Sequence, residues 1–354
     1  MIPYIEVLDQ YSLKKIAMIE PNEFWGELSF YDIGECELYC RATEYNLKYL
    51  KKGCFIKRPN NKYIWVITAI KYEFNAEGAR MISATGFEVK WIIGKRAILK
   101  PVQLPNTLGG AFGALLHDNI TNPVDSDRKI NHFNYGVLDT TPISDNQATR
   151  GNLLEYMLTL GKTYSKGFQV VYENESLNFY ILEPTNKSKS VLFSQSMDNL
   201  IVSTYFTSNE DERTYALVVS KIEEIDYETP YLVSNMKNID RAEIIVESNL
   251  STKYTDQDGN EQEVSPTSST YKLWQSEEGK KALAENKVIE EVSGELDMAN
   301  SNYVFDEDYR LGDVVGVKDE YFGYSFNAKI LKITFKQDVK GYTEEIEYGE
   351  GTLL

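Results

Sequence analysis

One pattern is written twice in this chain and limits what it can fold into. A glycine-led turn opens a short apolar segment, a long alternating segment follows, and a third segment returns. Near the start it reads Lys52-Gly53-Cys54-Phe55-Ile56, then Ile64 to Ile70, then a return ending in Gly86-Phe87-Glu88. Near the end it reads Leu311-Gly312-Asp313-Val314-Val315, then Phe326 to Ile333, then a return ending in Gly349-Glu350. The Gly53-to-Gly86 and Gly312-to-Gly349 intervals are similar, 33 and 37 residues. Upstream, Gly26-Glu27-Leu28 and Gly294-Glu295-Leu296 look alike, although they stand 27 and 18 residues before the turn. Side chains on a strand alternate between two faces, so a period of two marks strands. Glu35-Cys36-Glu37-Leu38-Tyr39-Cys40 does this, with Cys36, Leu38 and Cys40 on one face. The expectation is two similar β-barrel domains, pairing Gly26 with Gly294, Gly53 with Gly312 and Gly86 with Gly349. Two similar units per chain would let a homotrimer set six around one axis, because oligomers close by symmetry operators.

The rest of the chain fills in that frame. Its 354 residues suffice for two or three domains. The 25 tyrosines lean toward strands, where flat side chains pack on a pleated surface. Tyr63 to Tyr72 and Arg80 to Val89 read as a hairpin around Asn75-Ala76-Glu77-Gly78. Lys100-Pro101 is a boundary. Thr107 to His117 reads as a short helix, with Leu108, Phe112, Leu115 and Leu116 at helical spacing and Asn122-Pro123 as its stop. Thr149 to Ser165 is a helix with an apolar stripe of Leu153, Leu154, Met157, Leu158 and Leu160. Phe168 to Glu183 reads as a hairpin around Asn174-Glu175-Ser176. Tyr215 to Ser220 and Ala242 to Ser248 are strands. Ser268-Ser269-Thr270 caps a helix from Tyr271 to Asn286, whose early Glu277 and Glu278 and later Lys280, Lys281 and Lys287 suit the helix dipole. The fold class is therefore mainly β with an α+β insertion. Residues 1–100 are the first barrel, 101–190 a helix-on-sheet peripheral domain, and 191–354 the second barrel, with an inserted hairpin and helix at about 230–290.

Charge and chemistry exclude more than they assign. A net charge of −17 argues against a grip on nucleic acid, which needs lysines and arginines to displace counterions. It suits a wall that DNA slides past. Met1 to Glu20 lacks the apolar core of a signal peptide, and no run of about 18 apolar residues marks a membrane anchor. Cys36, Cys40 and Cys54 are too few for a disulfide framework, which fits assembly in a reducing cytoplasm. A Cys–His nucleophile or a zinc site would have to draw on Cys36, Cys40, His117 and His132. Two cysteines on one strand face read better as small buried hydrophobes. Glu223-Glu224 and Glu344-Glu345 are carboxylate pairs that a glycosidase could use, but they read as solvated faces. In Asp256-Gln257-Asp258-Gly259-Asn260 the glycine is fourth, Glu261 sixth and Thr267 twelfth, so a hairpin turn fits better than a calcium loop. Gly109-Gly110-Ala111-Phe112-Gly113 lacks the lysine and preceding strand of a nucleotide site. No catalytic, cofactor-binding or metal-binding residue is assigned, no cofactor is expected, and the chain reads as a non-enzyme. Tyr321, Phe322 and Tyr324, around Gly323, could bind carbohydrate or a receptor, or pack as a hairpin tip.

At some of these residues the chain resembles a known family. Glu23-Phe24-Trp25-Gly26-Glu27-Leu28, Gly34-Glu35-Cys36-Glu37-Leu38, Leu50-Lys51-Lys52-Gly53, Ala84-Thr85-Gly86-Phe87 through Ile98, and Tyr309-Arg310-Leu311-Gly312-Asp313-Val314-Val315 are similar to siphophage tail-hub proteins, also called tail-associated or tail-tip proteins. That resemblance implies a trimeric hub akin to those of contractile-tail baseplates, with two barrels that continue the tail tube and two peripheral domains. It implies a distal tail protein above, a tape-measure protein inside, receptor-binding or spike proteins outside, and DNA passing through the lumen without specific binding. Many members add a C-terminal hydrolase or carbohydrate-binding module. This sequence stops at Leu354, so an architectural role in the virion tail tip is expected, ahead of a receptor-binding module and, third, a cell-wall hydrolase.

Overall fold

A computed structural model describes residues 4–136, 139–233, 235–296, 302–338 and 341–353. The first part holds β1 (Ile5–Leu8), β2 (Lys15–Ile19), β3 (Glu23–Ser29), β4 (Glu35–Arg41), the helix α1 (Glu44–Tyr49), β5 (Phe55–Lys57), β6 (Ile64–Phe74) and β7 (Arg80–Glu88). The middle holds α2 (Leu108–Leu116), α3 (Leu153–Thr163) and the hairpin β8 (Gly167–Glu173) and β9 (Ser176–Leu182). The last part holds β10 (Leu192–Ser194), β11 (Leu200–Ser208), β12 (Tyr215–Ile222), β13 (Ile225–Leu232), β14 (Glu243–Glu247), α4 (Ser269–Glu285), β15 (Ile289–Leu296), β16 (Val314–Asp319), β17 (Tyr324–Asp338) and β18 (Gly341–Leu353).

The chain is mainly β, and the doubling is real at the level of hydrogen bonds. The first unit has the strand order β3-β4-β7-β6-β5-β1, and the second has β11-β15-β18-β17-β16-β10. Gly53 and Gly312 are true counterparts, both at φ +91. The Gly53 N–H donates to Ile67 O at 2.7 Å, and the Gly312 N–H to Ile330 O at 2.8 Å. Each lies in the same tight turn, closed by Cys54 N–H to Lys51 O and by Asp313 N–H to Arg310 O. One residue further on, both long strands bulge, between Ile67 and Ala69 and between Ile330 and Lys332. A bulge bends a strand locally, so the same bend is built into both units.

Two of the glycine pairings do not hold. Gly26 lies on β3, whereas Gly294 lies on β15, the counterpart of β4. Gly86 stands opposite Ile67, and the residue opposite Ile330 is Tyr348, so Gly349 is one place off. A glycine inside a strand serves local packing, which differs between units: a Cβ on Gly26 would come within 2.6 Å of the Trp65 ring.

The units are not separate bodies. β17 is 15 residues long and divides one edge between two partners. Its first half pairs with β16, and its second half pairs with β3, from Lys332 opposite Ser29 to Gln337 opposite Phe24. Both units thus belong to one 13-stranded sheet. They share one core, in which Trp65, Phe24 and Ile67 of the first meet Phe335, Ile333 and Tyr348 of the second. A second core lies under the middle helices. It takes Phe112, Leu115, Leu154, Met157, Leu160, Phe168 and Phe179, plus Phe55, Ile64 and Val66 from the first unit.

The helices form where caps and stripes place them. The Thr107 hydroxyl accepts the Gly110 N–H, and the Asn152 side chain accepts the Leu154 and Glu155 N–H groups. The Ser268 hydroxyl caps α4 through the Tyr271 N–H. α1 and a 3-10 helix at Val89–Lys95 lie where only strands are expected. α4 lies on a separate sheet of order β13-β12-β14, so this layer begins at Tyr215 and is wider than the expected insertion at about 230–290.

Phe30 closes the three-way junction. It is fully buried, and both Gly167 of β8 and Gly312 press their Cα atoms on it so closely that a methyl group would collide with its ring. Gly312→Ala adds a left-handed backbone strain to this clash. The variant is expected to lose about 1–3 kcal/mol in urea titration, against near-neutral substitution at exposed Gly136.

Candidate assembly surface

The residues with catalytic potential are dispersed. Cys36, Cys40 and Cys54 are free and buried in the shared core. Burial pushes the Cys40 thiol up to about 12 and the Cys54 thiol to about 11, and lifts Cys36 further still. A thiol attacks as its thiolate. All three are therefore expected to resist Ellman's reagent in the folded chain and to react together on unfolding, as read by absorbance against a denatured control. His117 sits in a π turn after α2, its ring nitrogen 2.8 Å from Asp118, and His132 sits in a tight turn at φ +58. Neither is near enough to the cysteines to form a cluster: among the described residues, no three His, Cys, Asp or Glu side chains gather as a metal site. Asp256 accepts the Asn260 and Asp258 N–H groups at 2.7 and 3.1 Å and closes the turn with Gly259 at φ +86. Gly109 to Gly113 lie inside α2, whose apolar face is buried. Glu223 and Glu224 form the exposed β12–β13 turn at positive φ. Glu344 departs from the expected solvated face. It is 5% exposed, the hydroxyls of Tyr309 and Tyr342 donate to it, and burial raises its pKa. It joins the loop before β16 to β18, while Glu345 pairs with Lys336 at the surface.

What the sheet offers instead is edges. β3 docks on the second half of β17 inside the chain. The matching half of β6, Ala69 to Phe74, pairs with β7 on one side, and its other side carries no strand among the described residues. β11, the counterpart of β3, pairs with β15 and likewise has an open outer side. Open edges are usually short or guarded by charge. These two carry exposed Tyr72 and Phe74, and exposed Ile201, Tyr205 and Phe206.

This arrangement can be set against known proteins. The sequence matches the family of the siphovirus ReqiPepy6 Gp37-like protein over residues 14–350. The chain belongs to that family. No curated protein matches it in sequence. In structure it is similar to the tail protein from Neisseria meningitidis MC58, with a TM-score of 0.59 at 12% identity over 99% of this chain and 97% of that one. It is similar to the 43 kDa tail protein of prophage MuSo2 from Shewanella oneidensis, with a TM-score of 0.56 at 11% identity over 98% of each chain. It is also similar to the prophage tail protein gp18 from Listeria monocytogenes EGD-e, with a TM-score of 0.54 at 12% identity over 98% of this chain and 94% of that one. These likenesses establish the fold.

In this Gp37-like chain the aromatic hairpin tip projects from a hydrogen-bonded base. β16 and β17 meet at Tyr321-Phe322-Gly323, with Gly323 at φ +73. Buried Asp319 holds the tip: it accepts the Phe322 N–H at 2.7 Å and the Gln195 amide at 3.1 Å, and bonds the Ser203 hydroxyl. Tyr321 and Phe322 are 83% and 73% exposed, and the Phe322 ring stacks on Tyr324. Sequence reasoning singled out these aromatics but missed the clamp, because Gln195 and Ser203 lie more than 100 residues from Asp319. It also missed the open edges, because which strand flanks which is set only by the assembled sheet.

Proposed function

We propose that this chain is a non-enzymatic hub of a phage tail tip, which continues or closes the distal end of the tail tube and links it to baseplate or receptor-binding components. The observation that carries this reading is the duplication: two units of the same strand order, turn and bulge, fused through β3 and β17. A homotrimer of such chains offers six similar units to a six-fold tube on one side and three-fold symmetry on the other. Its neighbours would be a distal tail protein, a tape-measure protein and a receptor-binding or spike protein. The charge of −17 suits a lumen through which DNA passes without specific binding. The virion tail tip would be its place and the host cytoplasm its site of assembly. No described helix is long and apolar enough to cross a membrane. Residues 1–100, 101–190 and 191–354 are taken as its three domains, a division supported in the middle by a second core under α2 and α3, to which the first unit also contributes. Size-exclusion chromatography with light scattering is expected to give a mass of three chains, or three chains plus the tail neighbours where these are needed for assembly. A persistent monomer, or turnover of peptidoglycan by the purified chain, would count against this function.

The aromatic tip favours a second reading, a carbohydrate- or receptor-binding module. Under that reading a Tyr321→Ala/Phe322→Ala variant assembles normally and loses at least about tenfold in retention on host cell walls, the order expected for removing stacked aromatic contacts. Unchanged retention would remove the tip from the account.

A further inference from the structure

We propose that copies of this chain join by adding β11 of one copy, antiparallel, to the open half of β6 in the next, in a register that the chain itself specifies. The proposal rests on the hub reading for the number of copies, but its geometry comes from the internal junction. In that junction β3 lies on the second half of β17, with Ser29 opposite Lys332, Leu28 opposite Ile333, Glu27 opposite Thr334, Gly26 opposite Phe335, Trp25 opposite Lys336 and Phe24 opposite Gln337.

Each participant has a counterpart fixed by hydrogen bonds. The turn glycines make Ile67 equivalent to Ile330. The bulge follows directly in both strands, so Ala69 answers Lys332 and Phe74 answers Gln337. On the other side, Gly86 opposite Cys36 answers Tyr348 opposite Val292. Gly26 pairs with Cys36 and Tyr205 with Val292, so Gly26 answers Tyr205, and Ser29 answers Ser208. Carrying the register over sets Ala69 opposite Ser208, Ile70 opposite Thr207, Lys71 opposite Phe206, Tyr72 opposite Tyr205, Glu73 opposite Thr204 and Phe74 opposite Ser203.

The side chains suit the pairing. Directly opposed residues of antiparallel strands share a face. Ile70, Tyr72 and Phe74 are on the face that continues the shared core, as Ile70 already packs on it. Tyr72 would meet Tyr205, whose ring rests 5.0 Å from Phe326 and 5.7 Å from Tyr324. Tyr72 is 58% exposed and Phe74 69%, and Phe206 on the other strand is 52% exposed. The junction covers Tyr72 and Phe74 on that face, sets Phe206 beside Lys71 on the other, and satisfies the free backbone groups of both edges, as in strand addition generally. Each copy then has one donor strand and one acceptor edge. Such a head-to-tail contact closes into a ring when the rotation allows it, and every junction in the ring, within a chain or between chains, becomes the same one.

Paired cysteines read this register. Cα atoms of opposed antiparallel residues stand about 4.5–5.5 Å apart, within disulfide range. In purified tails, mild oxidation of Ala69→Cys/Ser208→Cys is expected to link copies into covalent trimers. Lys71→Cys/Phe206→Cys, on the opposite face, is expected to do the same. The off-register pair Ala69→Cys/Thr207→Cys points to opposite faces and is expected to link at least about tenfold less. Reduced samples with unchanged melting establish that the variants fold. Tails that contain three copies yet link through neither in-register pair would overturn the junction and leave the hub reading standing. Equal linking by the off-register pair would overturn the register. A chain absent from tails would overturn the hub reading alone. The same pairs would then be oxidised in concentrated solution, where failure to link would overturn the junction.

Discussion

Trp65→Ala is expected to lower stability by about 3–5 kcal/mol, a large part of the roughly 5–15 kcal/mol that folded chains have. Trp65 on β6 is fully buried. Its indole N–H donates to Glu27 O on β3 at 2.9 Å, and its ring meets Phe24 and Phe335 edge-on, at centroid distances of 5.5 and 6.4 Å. It therefore touches the first unit and the strand of the second that docks on it. Truncation leaves a cavity at the seam and a buried carbonyl without its donor. Chemical denaturation followed by circular dichroism measures the loss. The discriminating comparison is Trp65→Phe, which restores most of the volume and only forfeits the hydrogen bond, and so is expected to cost about 1–2 kcal/mol. Equal losses in both would mean that packing at the seam matters little.

Lys90→Ala is expected to cost a comparable amount, about 3–5 kcal/mol, for an electrostatic reason. Lys90 is 1% exposed, and its ammonium lies 2.6 Å from Glu88 Oε1. It also donates to Ser29 O at 2.5 Å and reaches Phe168 O at 3.5 Å. Glu88 Oε2 in turn accepts the Ser29 N–H at 3.0 Å. The pair thus ties the end of β3 and the 3-10 helix to β8 of the middle domain. Truncation removes the amine altogether and leaves the Glu88 carboxylate and Ser29 O without an N–H donor, whereas deprotonation leaves the neutral amine in place to donate. Replacing both partners, as Lys90→Met/Glu88→Gln, should restore most of the stability. Burial draws the Lys90 ammonium down to about 7 from its ordinary 10.5. The unfolded chain then binds more protons than the folded one between those values, so stability is expected to rise with pH from about 7 toward 10.5. The slope should vanish in Lys90→Met. A wild-type profile that is flat or falls over this range would contradict the buried position of the ammonium.

Much of the fold was readable in the sequence where a local rule decides it. Gly53 and Gly312 announce themselves because a positive φ favours glycine and because the alternating strand follows at once. α2 and α3 follow from apolar spacing and α4 from its Ser268 cap, although α3 starts at Leu153, behind its Asn152 cap, and not at the expected Thr149. Other features depend on distant partners and leave no local trace. A glycine within a strand looks the same whether it makes room for Trp65, as Gly26 does, or lies on a different strand, as Gly294 does. Glu344 reads as a solvated charge and Lys90 carries no mark of its own in the sequence, and only the fold reveals the tyrosines and the carboxylate that surround them. The sharing of the β17 edge joins residues some 300 positions apart, from Gln337 back to Phe24, so neither the seam nor its open counterpart on β6 could be seen in the chain alone. The candidate chemistry was legible chiefly as dispersal, with two histidines and three cysteines spread over a helix end, a turn and a core.

The central claim is that one chain holds two equivalent units of a ring. A three-dimensional reconstruction of purified tails tests it most directly. The expected density at the distal tip is a ring of six near-equivalent β-units from three chains, with the β3–β17 seam alternating with a junction between copies. A tip with six copies, a single copy, or three copies whose units do not lie on a common ring would contradict the account.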